Sequence, residues 1–406
     1  MSETAGITLP RAEVDLEARC LSCGHSGLSI FHEQSGVPIH SCRLVSTREE
    51  ADRFPRGDIR LGFCGSCGFI TNTAYDPTVQ DYSIRYEETQ GFSPRFQDFM
   101  RELAQRLIDR HGVHDKDVFE IGCGKGEFLV LMCELGDNRG VGIDPSFVAE
   151  RIDSPAASRI RFIRDLYSER YADLTGDFVA CRHTLEHIHD TGSLMRLLRR
   201  TLGDRRDVVV FFELPETMRV LREPAFWDIY YEHCSYFTPG SLARLFRHTG
   251  FEVTALELDY DDQYILLDAR PDGNAQPQTF ELEETPEDVA RAIEDFRVAF
   301  AQTTEQWQRR LAEARAAGSR VVLWGSGSKG VSFLTTLGIR DEVELVVDIN
   351  PFKQGKYMAG TGQLIVAPER LADYRPDLVV AMNPIYLDEI RADLDRLGVD
   401  AELLAV

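Results

Sequence analysis

Positive charge is scarce in this chain: 45 Lys and Arg stand against 67 Asp and Glu among 406 residues, a formal charge of −22. No broad basic face is therefore available to neutralise a phosphate backbone, which excludes nucleic acid as an expected partner, whereas a small anionic substrate needs only a local basic pocket. Long apolar runs are missing too. No stretch approaches the ~18 apolar residues of a membrane span, and the opening Met-Ser-Glu-Thr-Ala-Gly has neither the basic nor the apolar part of an export signal. A cytoplasmic protein without membrane contact is expected. The nine cysteines are odd in number, so with no export signal they do not form a disulfide framework. The chain is 43% hydrophobic, enough for a large core, and too long for one ordinary domain.

Four cysteines are organised. Cys20-Leu-Ser-Cys23 and Cys64-Gly-Ser-Cys67 are paired C-x-x-C knuckles, each followed by a glycine (Gly24, Gly68) that suits a tight turn. Two such knuckles predict a closed, tetrahedral, structural zinc site on Cys20, Cys23, Cys64 and Cys67. Cys42 lies between them and reads as a buried or loop thiol.

The stretch Val118-Phe-Glu-Ile-Gly-Cys-Gly-Lys-Gly-Glu-Phe-Leu129 runs a hydrophobic strand into a glycine-rich turn and then an apolar helix. Gly122, Gly124 and Gly126 permit positive φ and let a ligand approach the backbone, and the helix start offers free N–H groups. About 20 residues on, a second strand ends at Asp144, the usual place for a carboxylate that binds ribose hydroxyls. Further strands are expected at 160–163, 178–181, 207–213 and 263–269. Their alternation with helices predicts an α/β fold with a mostly parallel, doubly wound sheet, ligands lying at the strands' carboxyl ends.

The domain boundaries follow: a zinc-binding module over 1–80, an α/β unit over 81–270, a linker and helical connector over 271–318, and a Rossmann-like α/β domain over 319–406. The last begins with a strand and the turn Gly325-Ser-Gly327-Ser-Lys329-Gly330, and its next strand closes on Asp348. Taken alone this suggests NAD. The domain is small, however, and the plainer reading is a glycine turn that packs closely or binds a different phosphate. Two polar clusters fall at the expected ligand face of the α/β unit. Arg182-His183-Thr-Leu-Glu-His187 follows the fourth strand, and Tyr230-Tyr-Glu232-His233-Cys-Ser-Tyr236 precedes a helix. A Glu-His pair among tyrosines is a plausible general-base site, because histidine titrates near neutrality.

The run Glu120-Ile-Gly-Cys-Gly-x-Gly resembles motif I of class I S-adenosylmethionine (SAM) methyltransferases, with an acid before the first glycine. That resemblance implies SAM contacts from Glu120, Gly122, Gly124, Gly126 and Asp144, and from Asp165 to the adenine amino group. The cysteine knuckles, the SAM motif, Leu185-Glu-His187, Ile229-Tyr-Tyr-Glu-His233 and the C-terminal domain together look like the sugar C-methyltransferases of deoxysugar biosynthesis, over nearly the whole chain. The resemblance implies a nucleotide-linked keto sugar as substrate and His233 as base, with Glu232, Tyr230 and His187 in supporting roles. Tyr82 and Tyr86 correspond to the family's N-terminal tyrosines; His183, Tyr236, Gln263, Gly325, Gly327 and Lys329 complete the expected substrate contacts. One departure stands out: where the family carries His-Gly-Gly and a basic residue, this chain has Asp259-Tyr-Asp-Asp-Gln263.

The expected chemistry is removal of a carbon-bound proton beside a keto group by His233, followed by attack of the enolate on the SAM methyl. Glu232 would orient the imidazole or support its charge, and Tyr230 and His187 would bind the oxyanion. An O- or N-methyltransferase of a related sugar or small metabolite is the alternative. A zinc-ribbon RNA methyltransferase is disfavoured by charge, and a non-catalytic sugar-nucleotide binder is the third reading. Nothing in the sequence requires an oligomer.

Overall fold

The computed structural model describes residues 13–272 and 278–406, and most of the linker predicted from residue 271 lies outside them. Three sheets organise the chain. The first is antiparallel and contains β1 (Glu13–Arg19), β2 (Ser26–Pro38), β3 (Arg56–Phe63) and β4 (Ile70–Asn72). Its fifth strand comes from far along the chain: Ser235–Tyr236 pairs with β4, Ser235 opposite Thr71 and Tyr236 opposite Ile70.

The second sheet has seven strands. In chain order they are β5 (Asp117–Ile121), β6 (Arg139–Ile143), β7 (Ile160–Ile163), β8 (Phe178–Arg182) and β9 (Val209–Pro215), then, with Ser235–Tyr236 counted as β10, β11 (Glu252–Asp259) and β12 (Tyr264–Arg270). Spatially they run β11-β12-β9-β8-β5-β6-β7, all parallel through β9 and antiparallel at β12 and β11. This is the class I SAM methyltransferase arrangement, with its last strand inserted antiparallel beside the fifth. The central strands β5, β8 and β9 are buried almost throughout, as strands covered on both faces must be, and are correspondingly rich in Val, Ile and Phe. β11 pairs along its whole length with β12, a hairpin absent from the sequence-based expectation.

The helix Pro94–His111 covers one face. Ser93 caps it by accepting from Phe96 N, Pro94 occupies its first turn, and Gly112 ends it at φ 62°. Its buried residues Phe96, Phe99, Met100, Leu103, Ala104, Leu107 and Ile108 recur at three- and four-residue intervals and form one apolar face.

The third sheet is wholly parallel: β13 (Val321–Trp324), β14 (Leu345–Val347), β15 (Leu364–Val366), β16 (Leu378–Ala381) and β17 (Glu402–Ala405), in the order β15-β14-β13-β16-β17. The connector is one helix, Pro286–Ala316, whose Phe296 and Phe300 pack against Phe31, His32 and Phe226, while Phe226 stacks on Phe333. One apolar core therefore runs from the first sheet through this helix into the third sheet.

Candidate active site

A cavity of about 750 Å³ is walled by the second and third sheets with their loops and, on the N-terminal side, by Cys42, Tyr82 and Tyr86 from segments outside the first sheet. Its floor is the turn after β5. Gly122, Gly124 and Gly126 adopt φ of 70°, 88° at the last and 53° at the middle one, all left-handed. A Cβ on Gly122 would lie 1.9 Å from Thr184 Oγ1, and one on Gly124 would lie 2.9 Å from Glu88 Oε1, so a side chain at either would fill the cradle. Asp144 accepts from Gly124 N at 3.0 Å and Ser146 N at 2.7 Å, which fixes its carboxylate beside the turn. Glu120 is buried with Oε2 unpartnered, and burial pushes its carboxyl up to about 8, with Asp144 and Glu213 adding repulsion. An unpaired buried carboxyl at a glycine cradle fits SAM, which brings cationic groups and hydroxyls to such a place. Gly122, Gly124, Glu120 and Asp144 line the cavity. Gly126 instead starts the following helix, and Asp165 turns to Tyr171 Oη at 2.5 Å and Arg170 at 3.0 Å, leaving its neighbour Leu166 on the cavity wall.

The opposite wall carries the histidines. His183 ends β8 at φ 46°, an uncommon angle for a side chain of its size, with its Nε2 3.0 Å from Glu213 Oε1. Burial alone would raise Glu213, but Arg182 and His183 hold it down at about 2. His187 Nδ1 meets Tyr82 Oη at 3.2 Å, and His233 Nε2 meets Tyr230 Oη at 3.0 Å. The two imidazoles stand edge to face, 4.8 Å apart. Burial depresses both: His187 to about 4, and His233 well below its ordinary value, with His187, His183 and Lys329 adding repulsion.

Glu232 is not where the sequence suggested. It faces away from His233 and accepts from His40 Nδ1 and Ser41 N, each at 2.8 Å, and from the Ser41 hydroxyl. His40 Nε2 accepts from Asp81 N at 2.8 Å, so its proton sits on Nδ1 and points at Glu232. Tyr231 and Glu232 form a tight turn, in which His233 N donates to Tyr230 O at 3.2 Å, and that geometry sends Glu232 and His233 to different neighbours. The carboxyl near His233 is Glu186 instead. It is buried, both oxygens lack a hydrogen bond, with His183 Nδ1 3.8 Å from Oε1, and burial pushes it up to about 8. Sequence reading passed over it as the middle residue of Leu185-Glu-His187; no local signal marked it.

Tyr82, Tyr86, His183, Gln263, Gly325, Gly327 and Lys329 all line the cavity, and Cys42 joins them. Tyr236 does not; its hydroxyl donates to Tyr230 O at 3.3 Å from behind the wall. Gln263 and Asn383 exchange amide bonds of 3.1 and 2.9 Å, and Lys329 bridges Gln263 at 3.4 Å to Asp228 at 3.0 Å. The turn before Gln263 takes three consecutive left-handed residues, Tyr260, Asp261 and Asp262, where a glycine pair would sit without strain. The third sheet repeats the device of the second: Asp348 Oδ2 accepts from Ser326 N at 3.0 Å and Oδ1 from Asn350 N at 2.8 Å.

Away from the cavity, the four knuckle sulfurs lie within 4.8 Å of one another, with Cys20 to Cys67 3.6 Å and Cys23 to Cys64 3.7 Å. A tetrahedral ion with bonds of about 2.3 Å sets sulfur separations of about 3.8 Å, so the set fits zinc. The two knuckles match in detail: Gly24 N donates to Cys20 O at 2.8 Å and Gly68 N to Cys64 O at 2.9 Å, with φ of 80° and 78°. Among the described residues no helix is long and apolar enough to cross a membrane.

Residues 95–256 match a family model described as a methyltransferase domain, and residues 278–400 match one described as a C-methyltransferase C-terminal domain. The chain is also 26% identical over 392 residues to C-methyltransferase NovU of Streptomyces niveus, covering 91% of this chain and 90% of that one. The chain belongs to the SAM-dependent C-methyltransferases. Solved structures resemble only part of this C-methyltransferase. The 1,6-didemethyltoxoflavin-N1-methyltransferase of Burkholderia thailandensis, bound to S-adenosylhomocysteine, is 18% identical over 43% of this chain and 78% of its own, with a TM-score of 0.32. Magnesium protoporphyrin IX methyltransferase of Synechocystis PCC 6803 is 16% identical over 43% and 83%, with a TM-score of 0.33. The strand order of the second sheet, not these partial likenesses, carries the fold assignment.

Proposed function

We propose that the enzyme methylates a carbon next to the keto group of a nucleotide-linked deoxysugar, with His233 as general base. The observation that carries this reading is a buried imidazole, kept neutral by its surroundings and bonded to Tyr230, on the wall of a cavity whose floor is the SAM turn. A neutral imidazole can take a proton, and the keto group makes the neighbouring C–H acidic enough to give one. The C–H electron pair moves into an enolate, which attacks the SAM methyl carbon as the C–S bond breaks; the proton stays on His233. Tyr230 and His187 donate to the developing oxyanion in this reading, where a preorganised donor contributes about 2.7–4 kcal/mol. The glycine turn holds the methyl donor, with Asp144 on its ribose.

The rest of such a substrate would lie along the lining that continues past Gln263 and Lys329 to Gly325 and Gly327 of the third sheet's glycine turn. We assign the four knuckle cysteines to one structural zinc, and residues 1–80, 81–270 and 319–406 to lid, catalytic and substrate-binding parts. Thiolate ligation suits a reducing compartment such as the cytoplasm.

Deuterium exchange tests the reaction class. With a nucleoside-diphosphate 4-keto-6-deoxyhexose and no SAM, the enzyme should wash deuterium into the carbon beside the keto group, and His233→Ala should abolish this while S-adenosylhomocysteine still binds. Methyl transfer to oxygen or nitrogen without any such exchange would sink the proposal.

A further inference from the structure

We infer that Glu186, His187 and His233 form a chelate for a divalent transition-metal ion inside the cavity, separate from the cysteine site. Their ligand atoms, one from each side chain, lie within 4.8 Å of one another. Two imidazoles and one carboxylate favour an ion of the zinc or cobalt class over magnesium or calcium, which prefer all-oxygen sets.

Two observations point to a ligand here and not merely to a polar cluster. Glu186 is 2% exposed and neither of its oxygens has a hydrogen-bond partner, although it lines the cavity. A buried carboxyl left this way is expensive unless something arrives to satisfy it. His233, moreover, is held by the Tyr230 phenol through Nε2, and His187 meets the Tyr82 phenol through Nδ1 and the backbone of Glu232. The Nδ1 of His233 is left for an ion, and an oriented ring with one anchored nitrogen is the usual outer arrangement of a metal-bound histidine; His187 would exchange its backbone contact for the ion. Bonds of about 2.0–2.2 Å to a tetrahedral ion need donor separations of about 3.3–3.6 Å, within reach of atoms that lie no more than 4.8 Å apart. The backbone on either side is tied by Cys234 N donating to Glu186 O at 3.0 Å.

The inference goes beyond the proposed reaction and opposes it at one atom. An ion on His233 occupies the ring that would accept the substrate proton, so metal loading and proton removal exclude each other. The site acts as a reversible lock on the cavity, set by free transition metal.

Cobalt is the probe, because its spectrum reports the donor set and no sugar substrate is needed. Titrating the purified, zinc-replete enzyme with Co²⁺ should saturate at one equivalent, with visible d–d absorption and no sulfur charge-transfer band. Glu186→Gln and His187→Asn should each weaken binding at least 10-fold. Absence of a saturable band, a sulfur band in its place, or equal binding by folded variants would overturn the site. Should either variant fail to fold, wild-type enzyme labelled with ¹⁵N-histidine decides: Co²⁺ must broaden two of the ten imidazoles first, and broadening of none or of all alike rejects the assignment. Because only metal binding is read, this result stands apart from whether His233 removes a proton from a keto sugar.

Discussion

Glu232 is bound to His40, 192 residues before it, with 2.8 Å between Oε1 and Nδ1 and both side chains essentially inaccessible to water. The pair ties the segment carrying His233 to the loop after β2, and Asp81 N on the far side of the imidazole extends the tie to the tyrosine segment. Removing the neutral His40 donor leaves a buried carboxylate short of one hydrogen bond, which costs about 1–3 kcal/mol. His40→Ala should therefore lower unfolding free energy by about that amount in urea titration. Loss of methyl transfer at unchanged stability would instead place Glu232 in the chemistry.

The acid limb of the pH–rate profile follows from the same geometry. With Glu232 turned away and the neighbouring Glu186 pushed up to about 8 and so uncharged near pH 7, burial with the nearby His187, His183 and Lys329 lowers His233. The imidazole then stays unprotonated as pH falls through its ordinary value near 6.5. The methyl-transfer rate should hold between pH 7 and 6 and decline only well below. A kinetic pKa at or above 6.5 would contradict this placement.

His32 should make the fold itself acid-sensitive. It is packed against Phe300, its Nε2 has no partner, and burial pushes it down to about 4. The unfolded chain thus takes up the proton first. The contribution of neutral His32 is fully present above about pH 6.5 and is lost as pH falls towards 4, amounting to about 2 kcal/mol between pH 7 and pH 5. His32→Leu should flatten that part of the stability profile, as read by denaturant midpoints at several pH values.

The hairpin between β11 and β12 carries avoidable strain. Asp261 sits at φ 60° on the exposed tip, an angle that disfavours side chains by about 1–2 kcal/mol, less for aspartate than for most. Asp261→Gly should raise stability by up to about 1 kcal/mol, after the entropy of the unfolded glycine is counted. A lower melting temperature would show that the aspartate side chain holds the turn.

Metal content tests the knuckles. One zinc per chain is expected in purified enzyme, and Cys20→Ser with Cys64→Ser should remove it and unfold the first sheet before the second, because ion binding here is coupled to folding. Full zinc retention by the double variant would rule the assignment out.

Much of this was readable in advance wherever chemistry is local. The glycine turn after its strand, the acid closing β6 and each C-x-x-C knuckle are each written in a few consecutive residues and need only a turn to form. The separation of Glu232 from His233 was not readable, because Glu232 sits in a tight turn and only the fold decides which side chain of that turn meets the cavity. Glu186 was hidden for the complementary reason: its unpartnered state is a property of everything around it. The hairpin at β11 escaped because Asp259-Tyr-Asp-Asp-Gln263 lacks the glycines that normally announce such a turn.

The short strand Ser235–Tyr236 has a consequence for how such an enzyme could be altered. Thr71 Oγ1 and Asn72 N both donate to Cys234 O, at 2.9 Å each, so the residue next to His233 is sewn into the edge of the first sheet. Exchanging the N-terminal part with that of a relative would replace the template on which the base is aligned. Chimaeras joined at residue 80 should bind SAM and yet lose turnover, and recovering it should require transplanting residues 230–236 together with the new N-terminal part.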